Sequence, residues 1–350
     1  MRIVFEDVSF AYGRRPKGGP DAGGAGLGAS AGQDGRAPHA AAAPQGAPAP
    51  GWGGAADDPW ALRHISFSVE AGELMGVAGH TGSGKSTLTG LAAGLDHPTC
   101  GRVTADGADL ADRRAAARLR GRIAVLFQYP ERQLFASTVA EDVAFGPRNL
   151  GFSEQEVSDR TAAALKRVGL PGEAVAAASP FDLSGGQQRR VALAGVLAMG
   201  PEVLILDEPA AGLDPRSRRE MLALVGELHA GGLTVVMVSH NMDDLAEVAD
   251  RILVLDRGRQ AMLGTPEEVF RDAGALKRVG LALPAAQGLA CRLAADPKVP
   301  VALGRPLYDL DALAGDILSA WRARGGAGGD GAAGSAGDAA AKVKEGPHHA

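Results

Sequence analysis

Apolar residues at Ile3, Phe5, Val8 and Phe10 nearly alternate across residues 2–12, and a similar pattern returns at 61–69. Both stretches predict β-strands, two parts of one sheet. From Gly72 to about Gly264, short apolar runs at 74–78, 123–127, 203–206 and 233–238 alternate with helical periodicity. That alternation predicts an α/β fold, a mostly parallel sheet covered by helices. Beyond Thr265 the pattern turns helical, with Pro266 suited to the first turn of a helix running through Phe270. A small C-terminal helical appendage is expected over 265–324.

Between the first two strands the pattern fails. Of the 41 residues from 16 to 56, 31 are Gly, Ala or Pro, too few side chains to offset the entropy of ordering them. Residues 13–59 are therefore expected to form a disordered insert, with a docking segment for a partner as the alternative. Residues 325–350 return to Gly and Ala and predict a loose tail, in which His348 and His349 are not expected to bind metal. With 350 residues, two folded units are the ceiling. A net charge of −5 argues against nucleic acid as a partner. Cys100 and Cys291 lack metal-site or disulfide-framework spacing. No stretch approaches the roughly 18 to 20 apolar residues of a membrane span, and the first residues are not those of a secretory signal, so any membrane role is expected to be peripheral.

Candidate chemistry sits in the α/β region. Gly79, His80, Thr81, Gly82, Ser83, Gly84, Lys85 and Ser86 match Gly-x-x-x-x-Gly-Lys-Ser/Thr, after a predicted strand and before a helical pattern opening at Thr87. Such glycines turn backbone N–H groups toward phosphates at a helix N-terminus, Lys85 reaches the β and γ phosphates, and Ser86 ligates magnesium. The apolar run from Val203 ends in Asp207 and Glu208, which puts Asp207 near the magnesium and Glu208 one residue further out to polarise water.

Leu183, Ser184, Gly185, Gly186 and Gln187, followed by a helical pattern, narrow the choice. This pentapeptide resembles the signature of ABC ATPases. With it come Gln128 after the run 123–127, the turn Gly212, Leu213, Asp214, Pro215, and His240 after Ser239, in the family's order. Tyr12 matches the aromatic on which ABC ATPases stack adenine. The resemblance implies ATP and Mg²⁺ as cofactors, with two ATPase domains closing head to tail. Ser184, Gly185, Gly186 and Gln187 then act on the partner's nucleotide, whereas Lys85, Ser86, Gln128, Asp207, Glu208 and His240 act on this chain's own. By the same resemblance Glu208, His240 and Gln128 are the catalytic group, and Ser86, Gln128 and Asp207 surround the metal.

Longer stretches are similar to the ATP-binding subunits of energy-coupling factor transporters, uptake systems for vitamins and metal ions. These are Phe127 to Phe135, Ala144 to Gly151, Ser179 to Gln187, Ala194 to Met199 and Gly280 to Pro284. Tyr129 resembles the second of the family's two paired ATPases, and Ala210 departs from the Thr usual after Glu-Pro. The implied partners are a second ABC ATPase (a sister subunit, or a second copy), an integral transmembrane subunit and a substrate-binding membrane subunit, at the cytoplasmic face of the membrane. A soluble ABC ATPase of translation or DNA maintenance is the alternative; those carry two cassettes or a long coiled coil, and this chain has one cassette and no sustained heptads. The stretch after Gln128, with Tyr129, Leu134, Phe135 and Phe145, is expected to form the groove that receives the membrane subunit, with core packing as the alternative for each of the four; Glu131, Glu141 and Asp142 are candidates to pair with it, or else solvated charges.

Overall fold

The computed structural model describes residues 1–13, 60–294, 308 and 310–325; the expected insert and tail fall outside them, apart from Gly13 and Gly325. Ten strands occur among the described residues: β1 (Ile3–Ala11), β2 (Trp60–Val69), β3 (Leu74–Ala78), β4 (Cys100–Ala105), β5 (Ala108–Asp109), β6 (Ile123–Leu126), β7 (Val203–Asp207), β8 (Thr234–Val238), β9 (Arg251–Asp256) and β10 (Arg259–Gly264). They form two sheets. A six-stranded sheet runs β10-β9-β3-β8-β7-β6, parallel except for the edge hairpin β9–β10. A four-stranded antiparallel sheet runs β2-β1-β4-β5, so the first two predicted strands do pair, in a sheet separate from the parallel one.

The parallel strands are short apolar runs because both of their faces are covered. Val203, Ile205, Val236, Val238, Leu253 and Leu255 join one core with Ile3, Phe5, Val8, Leu62 and Ile65 of the antiparallel sheet. Leu88 and Leu91 of helix α1 (Lys85–Ala92) enter the same core. The alternate residues Leu204, Leu206, Val235, Met237, Ile252 and Val254 are buried as well, as a period of two requires of a strand covered on both sides. Each fully buried Leu or Ile contributes about 1.5–3 kcal/mol.

Helix α2 (Arg113–Arg118) lies after β5 and buries nothing. Helices α3 (Val139–Asn149), α4 (Glu154–Arg167), α5 (Glu173–Ala177) and α6 (Gly185–Ala198) interrupt the alternation between β6 and β7, and α3, α4 and α6 pack on one another. Each of those three starts at a Ser or Thr in a reciprocal capping box, Thr138 with Glu141, Ser153 with Glu156 and Ser184 with Gln187. Helices α7 (Pro215–Ala230) and α8 (Met242–Val248) follow β7 and β8.

The chain divides into two compact units, Met1–Leu283 and Pro284–Ala350. Helices α9 (Pro266–Arg271) and α10 (Ala273–Arg278), expected to open a separate appendage, belong to the first unit and bury Val269, Phe270 and Leu276. In the second unit α11 (Ala285–Ala294) packs on α12 (Leu310–Gly325) through Ala286, Ala290 and Leu313. Among the described residues, no helix is long and apolar enough to cross a membrane.

Candidate functional site

The loop between β3 and α1 is shaped by glycines that no other residue replaces. A Cβ on Gly79 would lie 2.3 Å from Ser83 Oγ, and one on Gly84, at φ +105°, would lie 2.6 Å from Leu62 Cδ2. Lys85 opens α1, and its Nζ donates to the carbonyls of Gly79 (2.7 Å) and His80 (3.0 Å). Burial lowers the pKa of Lys85, against the opposing pull of Glu208 and Asp207. The loop is braced from β9 and the turn after it, where Asp256 Oδ1 lies 3.0 Å from His80 Nε2 and the Gly258 N–H donates to the Ser83 carbonyl.

Asp207 ends β7 beside β8. Burial and then the Glu208 charge raise its pKa, and Lys85 offsets part of the rise. Glu208, the next residue, has left-handed backbone (φ +52°), uncommon for a side chain of its size. This conformation turns its carboxylate to His240: the His240 N–H donates to Oε1 (3.0 Å), and His240 Nδ1 lies 2.8 Å from Oε2. An ionised carboxylate only accepts, so the proton sits on Nδ1. Behind His240, Asn241 caps α8 and the buried Asp244 pairs with Arg218 of α7. Tyr12 directly follows β1, is 62% exposed, and has its hydroxyl 2.8 Å from Thr87 Oγ1.

The structure thus brings Lys85, Asp207, Glu208 and His240 together, with Tyr12 against the same helix as Lys85. Gln128 is exposed just past β6. The segment 184–187 stands apart. Ser184 and Gln187 bond each other, and a Cβ on Gly186 would touch Ser217 of α7. Among the described residues, no hydrogen bond joins 184–187 to the loop 79–87. One chain therefore presents the starts of α1 and α6 as two separate places in the fold.

A family model described as "ABC transporter" matches residues 62–211. Over 234 residues the chain is 57% identical to the energy-coupling factor transporter ATP-binding protein EcfA2 of Symbiobacterium thermophilum, covering 67% of this chain and 81% of that protein. The chain belongs to the ATP-binding subunits of energy-coupling factor transporters. Among solved structures, cbiO1 of Clostridium perfringens, titled as part of the ABC transporter complex cbiONQ, matches with a TM-score of 0.60 and 32% identity, over 81% of this chain and 95% of that one. The ATP-binding cassette MJ0796, a dimer in a post-hydrolysis state bound to ADP and Pi, matches with a TM-score of 0.57 and 25% identity, over 75% and 98%. The fold is that of an ABC-type P-loop ATPase, and this ATP-binding subunit hydrolyses ATP to drive transport.

Two expectations about the energy-coupling groove need correcting. Glu131, Glu141 and Asp142 are engaged within the chain: Glu131 with Arg189, Glu141 in the cap of α3, and Asp142 with the N–H groups of Phe135 and Ala136. Each answers a local need, a buried cation or an unpaired N–H. Leu134 is core, whereas Tyr129, Phe135 and Phe145 are exposed, the two phenylalanines edge to face at 4.9 Å. Sequence reasoning missed Arg189. It stands two residues past Gln187, between Gln188 and Arg190 and ahead of the apolar run from Val191, so nothing in the local pattern set it apart.

Proposed function

We propose that this subunit works as half of a head-to-tail pair, with its own ATP on Tyr12, residues 79–87, Gln128, Asp207, Glu208 and His240, and with Ser184, Gly185, Gly186 and Gln187 completing the partner's site. The observation that carries this reading is the Glu208–His240 pair at the end of β7, beside Lys85 and Asp207. The separation of 184–187 from the chain's own loop supports the two-chain site.

On binding, Lys85 exchanges its carbonyl partners for β and γ phosphate oxygens, and the N–H groups of 79–87 take the remaining charge. Glu208 takes a proton from the attacking water as the water oxygen bonds the γ phosphorus and the bridging P–O bond breaks, giving ADP and phosphate, and the proton then leaves to solvent. His240 fixes the carboxylate, and its Nε2, when protonated, donates to the terminal phosphate.

A magnesium ion fits the donors present: the Ser86 hydroxyl, the Gln128 amide oxygen and the Asp207 carboxylate are hard oxygen ligands. They are few, as expected for an ion shared with substrate phosphates; among the described residues no cluster of His, Cys, Asp or Glu would hold a metal alone. Bound there, it would neutralise charge on the β and γ oxygens.

The exposed Tyr129, Phe135 and Phe145 support docking of a transmembrane subunit at the cytoplasmic face of the membrane, with a sister ATPase and a substrate-binding membrane protein completing an uptake system for a vitamin or metal ion. The test is a Glu208→Gln variant of the assembled complex: ATP binding retained and turnover lost supports the reading, and unchanged turnover refutes it.

A further inference from the structure

Arg189 lies within α6, 3% exposed, and every edge of its guanidinium is used. Its Nε and Nη2 grip both oxygens of Glu131 at 3.1–3.2 Å, while Nη1 donates to the carbonyls of Pro209 (3.1 Å) and Ala211 (2.7 Å). Glu131 sits in the 3₁₀ turn Pro130–Gln133, entered through Tyr129, and Arg132 of that turn lies over the Tyr129 ring. Pro209 and Ala211 follow Glu208. One side chain therefore ties the turn after Gln128, the helix that begins at Ser184, and the backbone leaving Glu208.

Left-handed backbone at a glutamate is strained and persists only where its surroundings fix it. On one side Glu208 is fixed by β8, its N–H donating to the Val238 carbonyl, and the Ala211 N–H closes a turn onto the Glu208 carbonyl. On the other side the two carbonyls that would otherwise be free to swing are held by Arg189. Only a planar fork with five donors spans a carboxylate and two carbonyls at once, and a lysine cannot.

We propose that Arg189 is a positioning residue for hydrolysis: with Glu131 it sets the backbone angle that aims the Glu208 carboxylate, so that movement of the turn after Gln128 reaches Glu208 directly. This rests on the reading of Glu208 as the group that activates water. A buried ion pair with a purely structural role would instead support folding and nucleotide binding alike.

The test compares Glu131→Gln and Arg189→Lys with the wild type in the full chain assembled with its partner subunits, reading mant-ATP affinity and turnover separately. Affinity is expected to stay within about threefold while kcat falls about tenfold or more, the pattern of a lost transition-state contact. Placed in the Glu208→Gln background, neither change is expected to lower the residual rate further, since both act through that carboxylate. The proposal is overturned by unchanged kcat in variants that bind ATP, by losses that multiply onto Glu208→Gln, or by parallel collapse of melting and ATP binding in both variants. A Glu208→Gln complex that turns over like wild type refutes the role of Glu208 itself, whatever Arg189 does.

Discussion

His240 holds Glu208 at both ends of its carboxylate, through its backbone N–H to Oε1 at 3.0 Å and its imidazole Nδ1 to Oε2 at 2.8 Å. The pair stands just past the ends of two neighbouring parallel strands, β7 and β8, whose register pairs Asp207 with Val238 and so brings the two residues close. Glu208 is 11% exposed at its side chain and His240 is 70% exposed. The carboxylate is sheltered and the imidazole faces outward.

His240→Ala removes the ring but keeps the backbone donor. Turnover is expected to fall about a hundredfold, as for a misplaced general base, with ATP affinity little changed. Steady-state kinetics alongside mant-ATP titration measures both.

Lys85→Ala removes the charge aimed at the β and γ phosphates. Loss of a charge-assisted contact at a partly buried site is expected to weaken ATP binding by about a hundredfold, roughly 2.7 kcal/mol. Calorimetric titration reads it directly. Tyr12→Ala, which removes only a stacking face, is expected to weaken binding by about tenfold at most.

Asp207 carries a pH dependence whose sign is fixed. Burial raises its pKa, with Glu208 adding to the rise, so the proton stays on to a higher pH than on an ordinary aspartate. A metal ion must displace that proton, so MgATP affinity is expected to fall as pH drops through the raised value, with a midpoint above that of an ordinary aspartate. Linkage runs the other way for the free chain: its stability is highest below the unfolded pKa and is lost as pH rises to the folded one, so Asp207→Asn is expected to raise the melting temperature while abolishing the acidic limb of the affinity profile. Affinity and melting curves across pH check both.

Ser184→Ala breaks the capping box of α6 and costs about 1 kcal/mol of stability. If Ser184 also serves the partner's nucleotide, turnover of the pair falls far more than that loss explains. Mixing Ser184→Ala chains with Glu208→Gln chains in defined pairs, where a homodimer forms, separates the two effects.

The elements around the site were legible because parallel strands buried on both faces announce themselves as apolar runs, and Gly79 to Ser86 and Leu183 to Gln187 are local in sequence. What stayed hidden depends on side-chain direction across long separations. Nothing near Glu131 shows that Arg189, 58 residues on, takes its carboxylate, or that Glu208 and Tyr129 both adopt positive φ. The antiparallel sheet was half legible: β1 and β2 carry the pattern, whereas β4 is too polar at its start and β5, two residues, too short to stand out.

Exposure of Phe135 and Phe145 predicts that Phe135→Ser, alone or with Phe145→Ser, leaves melting within about 0.5 kcal/mol of wild type and weakens recovery of membrane partners. Pull-down from detergent-solubilised membranes tests it.

The most direct test of the central claim is to purify the full chain through a tag in gentle detergent, identify its companions by mass spectrometry, and assay the complex with and without Glu208→Gln. The account predicts a second ABC ATPase and a polytopic membrane protein, with ATP turnover lost in the variant. Recovery with ribosomes or DNA and no membrane protein would contradict it.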